Sequence, residues 1–159
     1  MNDSLYNTDV EIGLRCLFIL KELNPISCSL ERLLYLDYLS LYIEEINSEA
    51  TNLHPQYPLQ SIEIIEKQQL LKKSILKFAY KGLVDVVNDV GLSFQCNANT
   101  LWLLADIENE YSSHLTKNIK LAIQATLQKT DSEVKNMILS KAEDSINKFN
   151  GFYPFTEED

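Results

Sequence analysis

The chain has 159 residues, 45% of them apolar, and 14 Lys and Arg against 23 Asp and Glu, for a formal net charge of -9. A chain of this size suits one domain, or one domain with an appended helix, and hides roughly two-thirds of its unfolded surface without disulfide or metal staples. The charge opposes sequence-independent binding to a phosphate backbone, no segment approaches the roughly 20 apolar residues of a membrane span, and Met1-Asn2-Asp3-Ser4 lacks the basic stretch of a secretory signal, so a cytoplasmic protein is expected.

Between residues 10 and 23, Ile12, Cys16, Ile19, Leu20 and Leu23 recur at steps of three and four, predicting a first helix that Asn24-Pro25 ends. Ser29 suits the N-cap of a second helix running to residue 47, with Glu31 in its first turn. Leu33, Leu34, Leu36, Leu39 and Leu41 make that helix apolar on more than one face, the mark of a helix central to the core or covered by a partner. Arg15 and Asp37 interrupt these two apolar helices. Each is costly to bury alone, so one expectation is a mutual ion pair and the other is escape of both to solvent at the helix edges.

Residues 48–60 turn polar and contain Pro55 and Pro58, which predicts a long ordered loop. A third helix follows, capped by Ser61, with Ile64, Ile65, Leu70, Leu71, Ile75, Phe78 and Ala79 on its buried side and Gly82 as a left-handed C-cap. Lys73, Lys77 and Lys81, with Lys72 beside them, form an exposed stripe on this helix. Across 61–85, Lys67, Lys72, Lys73, Lys77 and Lys81 outnumber Glu63, Glu66 and Asp85, a local positive excess in an acidic chain.

Two short apolar runs, 83–87 and 92–96, are joined by Asn88-Asp89-Val90-Gly91 and read as a hairpin. Helix, glycine, hairpin is the order of the second half of a winged helix, and winged helices divide into DNA readers and protein-docking modules. Asn99 or Thr100 then caps a long helix over 101–127 that sets Leu104, Ile107, Tyr111, Leu115, Ile119 and Ala122 on one side and extends about 40 Å. Thr130 and Glu133 have capping-box spacing, opening a last amphipathic helix with Val134, Ile138, Ala142 and Ile146. The tail carries Phe152, Tyr153 and Phe155 ahead of Glu157-Glu158-Asp159; such an aromatic cluster is typical of docking segments, or else folds back on its own domain. The expected fold is mainly α: a winged-helix-like domain with a small β-hairpin wing over residues 1–127, including the long helix, then a C-terminal helix and aromatic, acidic tail over 128–159.

Nothing in the chain couples a nucleophile to a base. His54 stands in the proline loop without a cysteine or paired acid, and Ser113 and His114, adjacent on a helix, point in different directions. The acidic pairs Glu44-Glu45, Glu108 with Glu110, and Glu157-Glu158 lack histidine partners and metal-site spacing. Cys16, Cys28 and Cys96 show no CxxC pairing and read as reduced fillers, and no glycine-rich phosphate loop is present. No catalytic residue, cofactor, metal or small-molecule substrate is therefore expected. Lys72, Lys73, Lys77 and Lys81 suit solvent, an acidic protein face or weak contact with DNA phosphates; with Phe152, Tyr153 and Phe155 they are the candidate partner-binding residues.

Three blocks occur in order: Asp9-Val10-Glu11-Ile12-Gly13-Leu14-Arg15-Cys16-Leu17-Phe18-Ile19-Leu20, then Arg32-Leu33-Leu34-Tyr35-Leu36-Asp37-Tyr38-Leu39, then Leu53-His54-Pro55 with Pro58. On these the chain resembles the middle component of bacterial ABC-three-component systems, and it is similar in particular to the small middle subunit of Lamassu-type antiphage and antiplasmid defence. The family's next block, an Arg-Ser-Gly-Glu element, two arginines and a closing Arg-Gly-Leu-Val, registers on 60–84 through Ser61, Glu63, Lys67, Leu70, Gly82, Leu83 and Val84. Gln60, Ile62 and Gln68 depart from it, standing where the family tends to have Arg, Gly and a second Arg. The likeness covers roughly 10–127. It implies a non-catalytic subunit of a hetero-oligomer, bridging an SMC-like coiled-coil ATPase to an effector, commonly a nuclease, and restraining that effector until foreign DNA is sensed. A winged-helix transcription regulator is the competing expectation.

Overall fold

The structure, a computed structural model, describes residues 8–57, 60–88 and 90–152. The chain runs through α1 (Asp9–Leu23), β1 (Cys28–Ser29), α2 (Leu30–Leu41), α3 (Glu63–Tyr80), β2 (Asp85–Asn88), β3 (Leu92–Gln95), α4 (Ala98–Ala105), α5 (Glu110–Thr126) and α6 (Asp131–Phe152). The molecule is thus mainly helical with a three-stranded antiparallel sheet in the order β1-β3-β2.

Local chemistry sets most helix ends. Thr8 Oγ1 accepts from the Glu11 amide at 3.2 Å and Ser29 Oγ accepts from the Arg32 amide at 3.1 Å, each satisfying an amide that has no partner within the helix. Helix α2 stops at Leu41 rather than near residue 47, and the chain tightens into a 3-10 turn at Ile43–Glu45. Ser61 does not cap α3, because a 3-10 turn at Gln60–Ile62 already carries the chain into it in helical geometry, without the extended residue an N-cap requires. At the other end Gly82 takes φ +75°, its amide bonds to Ala79 O at 3.0 Å and the Leu83 amide to Phe78 O at 3.0 Å. This paired closure needs a left-handed residue, which glycine adopts without a Cβ penalty.

The hairpin pairs Val86 with Phe94 and Asn88 with Leu92. On the far side of β3, Cys28 and Ser29 pair with Phe94 and Ser93, a strand not foreseen because two residues carry no alternation to read.

The single long helix expected over 101–127 is two helices. Asn109 Oδ1 accepts from the Ser112 amide at 2.9 Å and Ser112 Oγ accepts from the Asn109 amide at 2.9 Å, a reciprocal box that starts α5 afresh. Leu115, Ile119 and Ala122 are buried in the new register, while Tyr111, on the first turn, is exposed. Helix α4 is capped by Asn97 with Thr100, two or three residues earlier than a cap at Asn99 or Thr100 would give. Thr130 and Glu133 bond reciprocally at the start of α6, at 2.9 and 3.2 Å.

Helix α2 lies at the centre, buried from Leu33 to Leu41, with Leu17, Ile19 and Leu20 of α1, Leu71 and Ile75 of α3, Phe94 of the sheet and Leu115 and Ile119 of α5 around it. The three cysteines are buried and free. No described helix is long and apolar enough to cross a membrane.

Candidate functional site

Two features stand apart from ordinary packing: a charged network inside the molecule and an apolar, lysine-edged face outside it. Inside, Arg15 of α1 and Asp37 of α2 meet through Nε to Oδ1 at 2.6 Å and Nη2 to Oδ2 at 3.2 Å, both side chains buried. Burial works against both charges, but each outweighs that for its partner: the Asp37 carboxyl is held below its usual range and the Arg15 guanidinium above its own.

His54, from the proline loop, packs edge-on against the Tyr42 ring with centroids 6.3 Å apart. Burial, with the positive charges of Arg15 and Lys67, pushes its pKa down to about 4, so the imidazole is neutral near neutral pH. Lys67 Nζ lies 2.8 Å from Glu63 Oε2, and Glu63 Oε1 accepts from the hydroxyls of Tyr42, at 2.7 Å, and Tyr57. Desolvation opposes the Glu63 charge, yet Lys67 and these hydroxyls hold the carboxyl below its ordinary value. Glu45 takes the Tyr38 hydroxyl at 2.8 Å and Gln60 Nε2 at 2.5 Å. Gln60, where the resembling family tends to carry Arg, is thereby committed to internal bonding.

The same loop is held from α5: Asn118 Nδ2 donates to Ser40 O and Thr51 O at 3.0 Å each, and His114 Nε2 lies 2.8 Å from Thr51 O. These groups bind one another, fixing α1, α2, α3 and the loop in one register. Among the described residues no group of three or more His, Cys, Asp and Glu is arranged to hold a metal ion.

Outside, Lys72, Lys73 and Lys77 of α3 and Lys81 at its C-cap all reach solvent, with Lys77 3.8 Å from Asp9. Large apolar side chains lie among them: Ile65 is 73% exposed, Leu76 38% and Tyr80 94%. Ile65 had been expected on the buried side. The interior stripe of α3 is instead Glu63, Lys67, Leu71, Ser74 and Ile75, so an internally paired Glu and Lys occupy the inward positions and Ile65 turns outward.

Further exposed apolar side chains stand on the hairpin, at Val86, Val90 and Leu92, and on α4, where Ala98, Leu101, Trp102 and Ala105 share one exposed face at helical spacing. Trp102 is 70% exposed. Asn99 Nδ2 donates to Gly82 O at 2.9 Å, Asn97 Nδ2 to the same carbonyl at 3.2 Å, and the Thr100 hydroxyl to Leu83 O. These bonds seat the start of α4 on the turn that closes α3.

Sequence reasoning nominated the lysines but missed Ile65, Leu76, Tyr80 and Trp102. Ala98, Leu101, Trp102 and Ala105 recur at three- and four-residue steps on α4, whereas on α3 Gln69 and Lys72 interrupt the strip that carries Ile65, Leu76 and Tyr80. A separate apolar cavity of about 400 Å³ opens where α1 passes the α4–α5 connection, lined by Leu14, Phe18, Ile107, Tyr111 and Leu115 with Arg15 at its edge. Phe152 is the last residue of α6, its side chain lies outside the described residues, and Tyr153 and Phe155 lie wholly outside them.

Residues 5–148 match a family model described as the ABC-three component (ABC-3C) system Middle Component 2. No curated protein and no solved structure matches the chain.

Proposed function

The chain belongs to the Middle Component 2 family of ABC-three-component systems, a component of a multi-subunit system, and from that premise we propose that it is the non-catalytic middle subunit of a Lamassu-type prokaryotic defence complex. In this reading it bridges an SMC-like coiled-coil ATPase to an effector, commonly a nuclease, and keeps the effector silent until foreign DNA is sensed. The observation that carries the reading is the run of large apolar side chains on the open faces of α3, the hairpin and α4. A monomer rarely leaves such surface to water unless something covers it.

A winged-helix reading of the fold rests on the order α1-β1-α2-α3-β2-β3 and the strand order β1-β3-β2, with α3 in the place of the helix that enters DNA in the nucleic-acid-binding members. Ile65, Leu76 and Tyr80 on the outer side of α3 favour protein docking over base recognition, which calls for Arg, Asn or Gln at those positions. The restraint works through differential affinity: the middle subunit binds the effector more tightly in the resting assembly than in the DNA-engaged one.

Co-expression with an SMC-like ATPase and an effector drawn from its neighbouring genes tests the reading. The expected result is a three-part complex whose effector is silent without DNA; an ATPase–effector complex equally well formed and equally silent without this chain overturns it.

A further inference from the structure

Resting on that reading, we propose that the outer face of α3 is a seat for an acidic amphipathic helix of a partner subunit. Ile65, Leu76 and Tyr80 stand on one outer strip of α3, with Gln69 and Lys72 between the first two, and Lys73 and Lys77 run alongside. Ile65 and Tyr80 stand about 22 Å apart at the helical rise per residue, the length of a four-turn partner helix. Such a helix lays anchors at i, i+3, i+4 and i+7 onto a strip of this kind.

Charge selects the partner. From Lys67 to Lys81 the helix carries no acid; Glu66, exposed, precedes that run at its N-terminal end. Lys67 is turned inward to Glu63, and among the described residues the outer lysines meet only Asp9, 3.8 Å from Lys77. The remainder of the chain is strongly acidic, so this face is a positive island on a negative molecule. A Glu- and Asp-rich helix is drawn to it and repelled elsewhere, which supplies orientation as well as attraction. DNA would find the same lysines, but Leu76 and Tyr80 stand among them, where phosphate gains nothing from the apolar side chains and loses its water.

The test uses the full chain and two fluorescein-labelled designed peptides about 18 residues long. Both carry Leu at i, i+3, i+4 and i+7; one has Glu on its polar face and the other Lys. A labelled DNA duplex of similar length is the third probe. By anisotropy the Glu peptide binds, weakens as salt rises, and loses about tenfold in affinity or more both for Lys72→Glu/Lys73→Glu/Lys77→Glu and for Leu76→Asp/Tyr80→Asp. Leu127→Ser, exposed on another surface, leaves binding unchanged. Thermal melts confirm that the variants fold. Equal binding of the Lys peptide, no binding of either peptide, Glu-peptide binding that survives both variants, or preference for the duplex overturns the proposal. Co-purification separates this from the broader reading: a three-part complex unaffected by both variants removes only the α3 seat, whereas failure of the unmodified chain to assemble removes the bridging role and leaves the peptide result to decide the seat.

Discussion

Gly13 of α1 lies against the ring of Phe78 on α3 so closely that a Cβ at that position would stand 1.9 Å from Phe78 Cε2 and 2.5 Å from Ser74 Oγ. The two helices cross where one of them has no side chain, and the Ser74 hydroxyl completes the contact by donating to Asp9 O. Gly13→Ala must push Phe78 aside or spread the helices, costing about 1–3 kcal/mol. A thermal melt reads this as a fall in Tm of roughly 2–4 °C per kcal/mol. An unchanged or raised Tm would show that the crossing has slack.

The buried pair Arg15–Asp37 is asymmetric to mutation. Asp37→Ala leaves a guanidinium without its counter-charge in the interior and is expected to cost about 3–5 kcal/mol in urea denaturation. Replacing both at once, Arg15→Met with Asp37→Leu, removes both desolvation penalties and is expected to cost far less than Asp37→Ala alone. A double variant as damaged as the single one would refute this.

His54 makes the stability depend on pH. Its folded pKa is about 4, below its ordinary value of 6.5, so the unfolded chain binds the extra proton across that interval. Stability is therefore full above pH 6.5 and declines as pH falls towards 4. His54→Gln flattens this segment of the profile, leaving the steeper loss at lower pH that comes from protonating Asp37 and Glu63, both held below their usual values. A profile of unchanged slope in His54→Gln would assign the transition to other groups.

Trp102 separates docking from folding. Its side chain is largely in water, so Trp102→Ser is expected to shift stability by no more than about 0.5 kcal/mol. The same change is expected to weaken co-purification with the other subunits, because an exposed aromatic on a rigid helix is the residue type that most often anchors an interface. Undiminished assembly would exclude α4 from the contact.

Much of the architecture was legible because helices announce themselves by period and cap. Ser29, Thr130 with Glu133, and Gly82 each stand where the backbone needs them, and the apolar steps of α1 and, Tyr111 apart, of α5 match their buried sides. The break between α4 and α5 was hidden because the apolar period runs on through Leu104 and Ile107 while the Asn109–Ser112 box interrupts the backbone without disturbing it. The facing of α3 was misread at Ile65 for a related reason: hydrophobic periodicity assigns Lys67 to water, and only the proximity of Glu63, Tyr42 and Tyr57 makes an inward lysine tolerable. The exposed aromatics escaped notice because burial is a property of neighbours, which a single sequence does not display.

Asn97, Asn99 and Thr100 take the carbonyls of Gly82 and Leu83 that the end of α3 leaves over. The terminus of one helix thereby becomes the footing of another, and the hairpin between them is clamped at its base. A body gripping α3 and a second gripping α4 would be held in one relative orientation, and turning either would carry the other round with it.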